Sequence, residues 1–223
     1  MQRLKRFSSF IRRNSCGIIT VLSTKQTTDM KLKLLAVLAA LSILAPLQAQ
    51  DSVSNAPVIP LQISVPDVEV VNQTGEHVHF SSGVVKDRVA VITSFFTSCT
   101  AFCPMTQERM SRLAKTLGRR MGKDVVFISV SVDPEHDTPK QMKAWADQFH
   151  IGPGWTLVSG NKDNLTTLLK SLGLYVDMQR HQSALIIGNN KDGWVRVSSW
   201  ASPEKLTQVI DGIEKGTAVT ARK

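Results

Sequence analysis

This chain has little cysteine, three residues in 223. There is no framework of cystines to hold a fold, and a domain of this size builds its core without one. A structural zinc site is excluded as well, because it closes with four protein ligands and no second cysteine pair exists. Long apolar runs are also lacking. The run Leu34 to Ala45 holds about a dozen residues, too short for a hydrocarbon layer that requires roughly 20. Internal repeats and low-complexity tracts are absent.

A basic stripe is lacking too, although the formal net charge is +9. Eight of the 27 Lys/Arg and one of the 18 acids fall in residues 1–49, leaving 19 against 17 and a charge of +2. Beyond residue 49 the two signs are interspersed, so no nucleic-acid partner is expected.

The N-terminal charge has another explanation. From Met30 the chain reads "MKLKLLAVLAALSILAPLQAQDS": Lys31 and Lys33, the short apolar run, Pro46, then small Ala49 before polar residues. This is the pattern of a secretory signal peptide cleaved near Ala49, which predicts an exported, periplasmic protein. The basic stretch before Met30 is either an over-extended start or a long n-region. In both cases Cys16 leaves with it, and no cysteine follows the apolar run to accept a lipid. We therefore expect an N-terminal extension plus signal peptide over 1–49, a linker over 50–65, one domain over 66–214 and a tail over 215–223.

Within the domain, "DVEVVNQTGEHVHF" predicts a hairpin around Gln73, Thr74 and Gly75. The run "RVAVITSFFT" predicts a buried strand leading into "TSCTAFCPMT". After Pro104 the spacing of Met110, Leu113, Leu117 and Met121 is helical. "DVVFISVSV" is a second buried strand. Thr138 with Pro139 starts a helix through Met142, Trp145 and Phe149. "WTLVSG" is a short strand, and Asn161 caps a helix through Leu165, Leu168, Leu169 and Leu172. "SALIIGN" and "GWVRVSSW" form two strands about an Asn/Lys/Asp/Gly turn, and Ser202 with Pro203 opens a last helix through Leu206, Val209 and Ile213. This order predicts an α/β domain with a mixed central sheet flanked by helices and an N-terminal hairpin extension. It resembles the thioredoxin fold, in which a cysteine motif lies between the first core strand and its helix, where the helix dipole favours thiolate.

Cys99 and Cys103 are the candidate functional pair. Four residues apart on a regular helix their Cβ atoms would lie roughly 6 Å apart, whereas a disulfide needs about 3.5 to 4.5 Å. Pro104 disfavours the α region for Cys103, so both thiols are expected on a loop ahead of the helix, able to converge on each other or on a metal. A purely structural disulfide across so small a loop constrains the unfolded chain little.

The thioredoxin comparison places the segment "DMQRHQSALIIGN" opposite the cysteines. Where enzymes of that class carry a cis-proline, this segment has none, but it has His181. His77 and His79 share one strand face and are at most a weak Cu(II) site. His136 follows the second core strand, and His150 ends a helix. Two thiolates with one imidazole suit copper, above all Cu(I). Met105 offers a thioether, although a first-turn methionine more often packs. Asp133 and Asp137 either organise the turn before Thr138 or support the site from behind, since the strand carrying Asp133 ends on the same edge as the cysteine loop. Neither is expected as a ligand.

Together "TSCTAFCP", "ISVSVDPEHDTPKQMKAW" and "RHQSALIIGNNKDG" resemble the Sco/SenC family of exported, thioredoxin-like copper-binding proteins over roughly residues 66 to 213. The resemblance implies copper on Cys99, Cys103 and His181, with the two cysteines as a redox pair. It also implies a role in assembling a cytochrome oxidase copper centre, by copper delivery or by reducing that centre's cysteines. The implied partner is the copper-centre subunit of a terminal oxidase or another exported cuproprotein, as a membrane-associated client. Thr100, Ala101 and Phe102 stand where the family usually has a proline and an acid, and Arg180 where it usually has an acid. Two alternatives stay open. One is a thiol-disulfide oxidoreductase in which Cys99 attacks and Cys103 resolves. The other is a peroxiredoxin-like peroxidase, suggested by "TAFCP", with Phe96 where that family has proline.

Overall fold

In the computed structural model, residues 56–175 and 184–217 are described. The strands are β1 (Ile59–Leu61), β2 (Glu69–Asn72), β3 (His77–His79), β4 (Val89–Phe95), β5 (Val125–Ser131), β6 (Trp155–Ser159), β7 (Ala184–Asn189) and β8 (Gly193–Ser198). The helices are α1 (Phe102–Leu117), α2 (Pro139–Gln148), α3 (Lys162–Ser171) and α4 (Pro203–Glu214). All eight strands join one sheet in the order β1-β8-β7-β4-β5-β6-β2-β3. β4, β5 and β6 run parallel, and every other pairing is antiparallel.

The central strands are apolar throughout because both faces are covered. Along β4 the alternation sends Val89, Val91 and Phe95 to one core, with Met110, Leu113, Trp145 and Ile210 of α1, α2 and α4. Ala90 and Ile92 face the other core, with Phe80, Leu165 and Leu168. Each helix after the first starts where its cap residue predicts. Thr138 accepts from the Gln141 N–H at 3.3 Å, Asn161 from the N–H groups of Asp163 and Asn164, and Ser202 from that of Lys205.

Three details differ from the sequence expectation. The stretch read as a linker contributes β1, which pairs with β8 from Ile59↔Arg196 to Leu61↔Trp194. Met121 lies beyond α1, because Gly118 takes φ +54 at the helix end. It is half-buried and bridges to Val125 instead. The third difference concerns Cys103. Cys103 lies in the first turn of α1, not on the loop ahead of it. The first four N–H groups of a helix have no intrahelical acceptor, so Pro104 as third residue forfeits no bond there.

Candidate functional site

The parallel register of β4 and β5 builds the site. Phe95 is opposite Ser131, and the Val132 N–H continues the ladder to the Phe95 carbonyl at 3.0 Å. Both strands therefore release their chains at one sheet edge, the edge where ligands bind in α/β sheets. β4 delivers the cysteine loop there, and β5 delivers the Asp133–Thr138 turn.

After β4 the chain turns sharply, with the Cys99 N–H donating to the Phe96 carbonyl at 3.1 Å. This brings the Cys99 sulfur over the start of α1, where it accepts the Cys103 N–H at 3.3 Å. The sulfur thus satisfies a helix-terminal donor that no backbone carbonyl reaches. The expected convergence of the pair holds, with one cysteine on the loop and the other in the helix. Neither forms a disulfide in the structure; Cys99 is half-buried and Cys103 buried.

Their environments separate the two thiols. Burial pushes the Cys103 thiol up to about 12, hydrogen bonding to Cys99 adds to the rise, and the Phe96 backbone opposes it. A group so placed holds its proton, whereas the more exposed Cys99 meets solvent first. Phe102 and Met105, at 52% and 47% exposure, stand on the first turn beside the pair.

Asp137 supports the loop from below. Only 1% exposed, it accepts from the Thr97 N–H at 2.8 Å, the Thr97 hydroxyl at 2.6 Å and the Ser131 hydroxyl at 2.6 Å. Of its two expected roles, supporting the site describes it better than organising a turn. Thr97 and Ser131 were not singled out in the sequence, though a serine inside the apolar run "FISVSV" was a usable signal. Asp133 holds the ring of His136, whose Nδ1 lies 2.8 and 2.9 Å from the two carboxylate oxygens. That hydrogen bond, reinforced by the charge of Asp133, raises the His136 pKa. A cavity of about 600 Å³ opens between this pair, Thr97, Ser98 and Trp145.

β7 is antiparallel to β4 with Ile186 opposite Ile92, so the chain enters β7 at Ala184 from the edge that carries the cysteines. His181 and Arg180 precede Ala184 but lie outside the described residues. His77 and His79 are exposed on β3, where Glu69 and Asp67 partner them. Among the described residues no group of three or more His, Cys, Asp or Glu side chains is gathered closely enough to hold a metal.

A cysteine pair at the junction of the first core strand and its helix, at the C-terminal edge of a mixed sheet, defines a thioredoxin-like protein. The SCO1/SenC family model matches residues 61–199, and the chain belongs to the SCO1/SenC family. The SCO1 protein homolog of Bacillus subtilis is 35% identical over 102 residues, covering 45% of this chain and 51% of that protein. The chain spans about half the length of the curated relatives it matches. Among solved structures, BsSco is described as a member of the Sco family of cytochrome c oxidase assembly proteins with a disulfide switch. It is 26% identical with a TM-score of 0.60, covering 72% of this chain and 97% of its own. The copper-bound ScoI of Bradyrhizobium japonicum shares the fold at 22% identity and a TM-score of 0.55, covering 69% and 98% of the two chains.

Proposed function

We propose that this chain is an exported copper-binding protein that assists assembly of a cytochrome oxidase copper centre, with Cys99, Cys103 and His181 as its copper ligands. The observation that carries this reading is the juxtaposition of two unpaired thiols at the sheet edge, the Cys99 sulfur 3.3 Å from the Cys103 nitrogen. Two soft sulfurs from one strand-to-helix junction fit Cu(I), which accepts low coordination. Family membership and the copper-bound relative support the same cargo. The exposed Phe102 and Met105 beside the thiols offer a surface for the copper-centre subunit of a terminal oxidase.

The contrast between the two thiols favours a second contribution of the same pair. Cys99 is placed to attack a client disulfide as thiolate, forming a mixed disulfide and releasing the client's other sulfur. Cys103 then gives up its proton and attacks the Cys99 sulfur, which frees the second client sulfur and leaves a Cys99–Cys103 disulfide. The client is reduced by two electrons and the pair is oxidised by two.

Copper and disulfide exclude each other, because an oxidised pair offers no thiolate. The test is an anaerobic Cu(I) titration of the dithiol and disulfide forms against a competing chelator. The dithiol form is expected to bind at least a hundredfold more tightly. Equal affinity would remove Cys99 and Cys103 from the copper site and leave the oxidoreductase reading.

A further inference from the structure

We propose that a groove between the first turns of α1 and the C-terminal end of α2 holds one Cu(I) ion on Met105 and His150, separate from the cysteine pair. It rests on the reading that the cargo is copper, but its donors are a thioether and an imidazole, not the thiols.

The groove has a volume of about 420 Å³ and is lined by Pro104, Met105, Gln107, Glu108, Phe149 and His150 among others. Met105 is 47% exposed. The usual account of a first-turn methionine, packing into the core, does not describe it. His150 follows α2 in the left-handed region at φ +51. Its N–H donates to the Asp147 carbonyl at 3.2 Å, and the Ile151 N–H to that of Ala146 at 2.9 Å. These bonds fix the backbone while the imidazole has no hydrogen-bond or ion-pair partner among the described residues. The two bonds form the Schellman motif that ends α2, and that motif accounts for the positive φ of His150.

Gln107 of the groove wall is 1% exposed, and its Oε1 is buried with no hydrogen-bond donor among the described residues. Such an acceptor is ordinarily met by a water, and as a hard amide oxygen it is not counted among the Cu(I) donors. No Lys or Arg lines the groove. Arg109 and Arg112 line a different groove, on the α4 side of Met105, and Glu108 is paired with Arg112.

A thioether with a neutral imidazole is a soft, uncharged donor pair that suits Cu(I), whereas zinc requires four ligands and Cu(II) prefers a tetragonal set of nitrogen and oxygen. Pro104 and Gln107 of the groove follow Cys103 on α1 by one and four positions. An ion held there passes to the thiols by ligand exchange. Its bonds to the Met105 sulfur and the His150 nitrogen break as two bonds to cysteine sulfur form. The two thiol protons leave to solvent, and copper remains Cu(I).

The test uses the full chain carrying Cys99→Ser and Cys103→Ser, with Cys16→Ser to remove the remaining thiol, titrated anaerobically with Cu(I) against a chelator of moderate affinity. One Cu(I) is expected to bind, with sulfur and nitrogen neighbours by X-ray absorption. Met105→Leu and His150→Asn, the latter chosen because asparagine tolerates positive φ, should each lower that affinity at least fivefold. No uptake by the triple serine chain overturns the site, as does a smaller loss in either variant. The cysteine reading fails differently, by a triple serine chain that binds as many Cu(I) ions as the unaltered chain.

Discussion

Asp137 and Thr97 are 40 residues apart in sequence and joined twice in space, the carboxylate Oδ1 accepting both the backbone N–H and the hydroxyl of Thr97, at 2.8 and 2.6 Å. The bond ties the turn after β5 to the loop that carries Cys99, so the thiol sits on a braced strand end instead of a free loop. Asp137→Ala removes the acceptor and leaves three donors facing a void. We expect a loss of about 3 kcal/mol in chemical denaturation, together with at least tenfold weaker Cu(I) binding. Asp137→Asn keeps the shape and one acceptor oxygen and should cost less than half as much. An alanine variant with unchanged copper affinity would show that the brace serves the fold alone.

The two thiols should react in order. At pH 8 a Cys103 thiol raised to about 12 is roughly one part in 10⁴ thiolate, and it is also buried. One equivalent of iodoacetamide should therefore label Cys99 first, as read by peptide mass spectrometry. The Cys103 pKa is raised above its unfolded value of about 9, and folding favours the protonated form. That contribution to stability is complete below pH 9 and is lost as pH rises toward 12. A reduced chain whose alkaline stability matches that of Cys103→Ser throughout this window would contradict the assignment.

His136 gives a second titration of opposite character. Bonding to Asp133 favours its charged form, so its pKa is raised. Any stability gained is present below the ordinary histidine value and fades as pH rises through the raised one. The ring is exposed, and the effect is best read from its own NMR titration. Asp133→Asn should move the midpoint down toward that of a free histidine.

Thr138 tests the helix start. Thr138→Ala removes the acceptor for the Gln141 N–H and should cost about 1 kcal/mol. Copper stoichiometry should not change, since α2 remains anchored by Met142 and Trp145, at 0% and 5% exposure.

The proposed role of His181 as a copper ligand is tested by substitution. His181→Ala should weaken Cu(I) binding at least tenfold while leaving the pair able to oxidise, whereas Cys99→Ser or Cys103→Ser should each abolish tight binding. Three variants with wild-type affinity would exclude this ligand set.

The signals that were legible along the chain act over a few residues. Thr138 with Pro139, Asn161, and Ser202 with Pro203 mark helix starts because a cap bonds to an N–H two or three positions away. β4 and β5 are legible because an unbroken apolar run suits a strand covered on both faces. The cysteine pair and the family resemblance are likewise local or ordered features of the sequence.

What only the tertiary structure decided depends on register and on competition between local preferences. The steric preference of the residue before Pro104 argued for keeping Cys103 out of the helix. The surroundings reversed it, because the start of a helix loses no backbone bond to proline and the Cys99 sulfur takes the Cys103 N–H. Pairing of Phe95 with Ser131 sets Asp137 against Thr97. The packing of α2 beside α1 brings Met105 and His150, 45 residues apart, to one groove. No local rule reaches such distances: partners far apart in sequence are chosen by how strands align and helices pack once the two cores close.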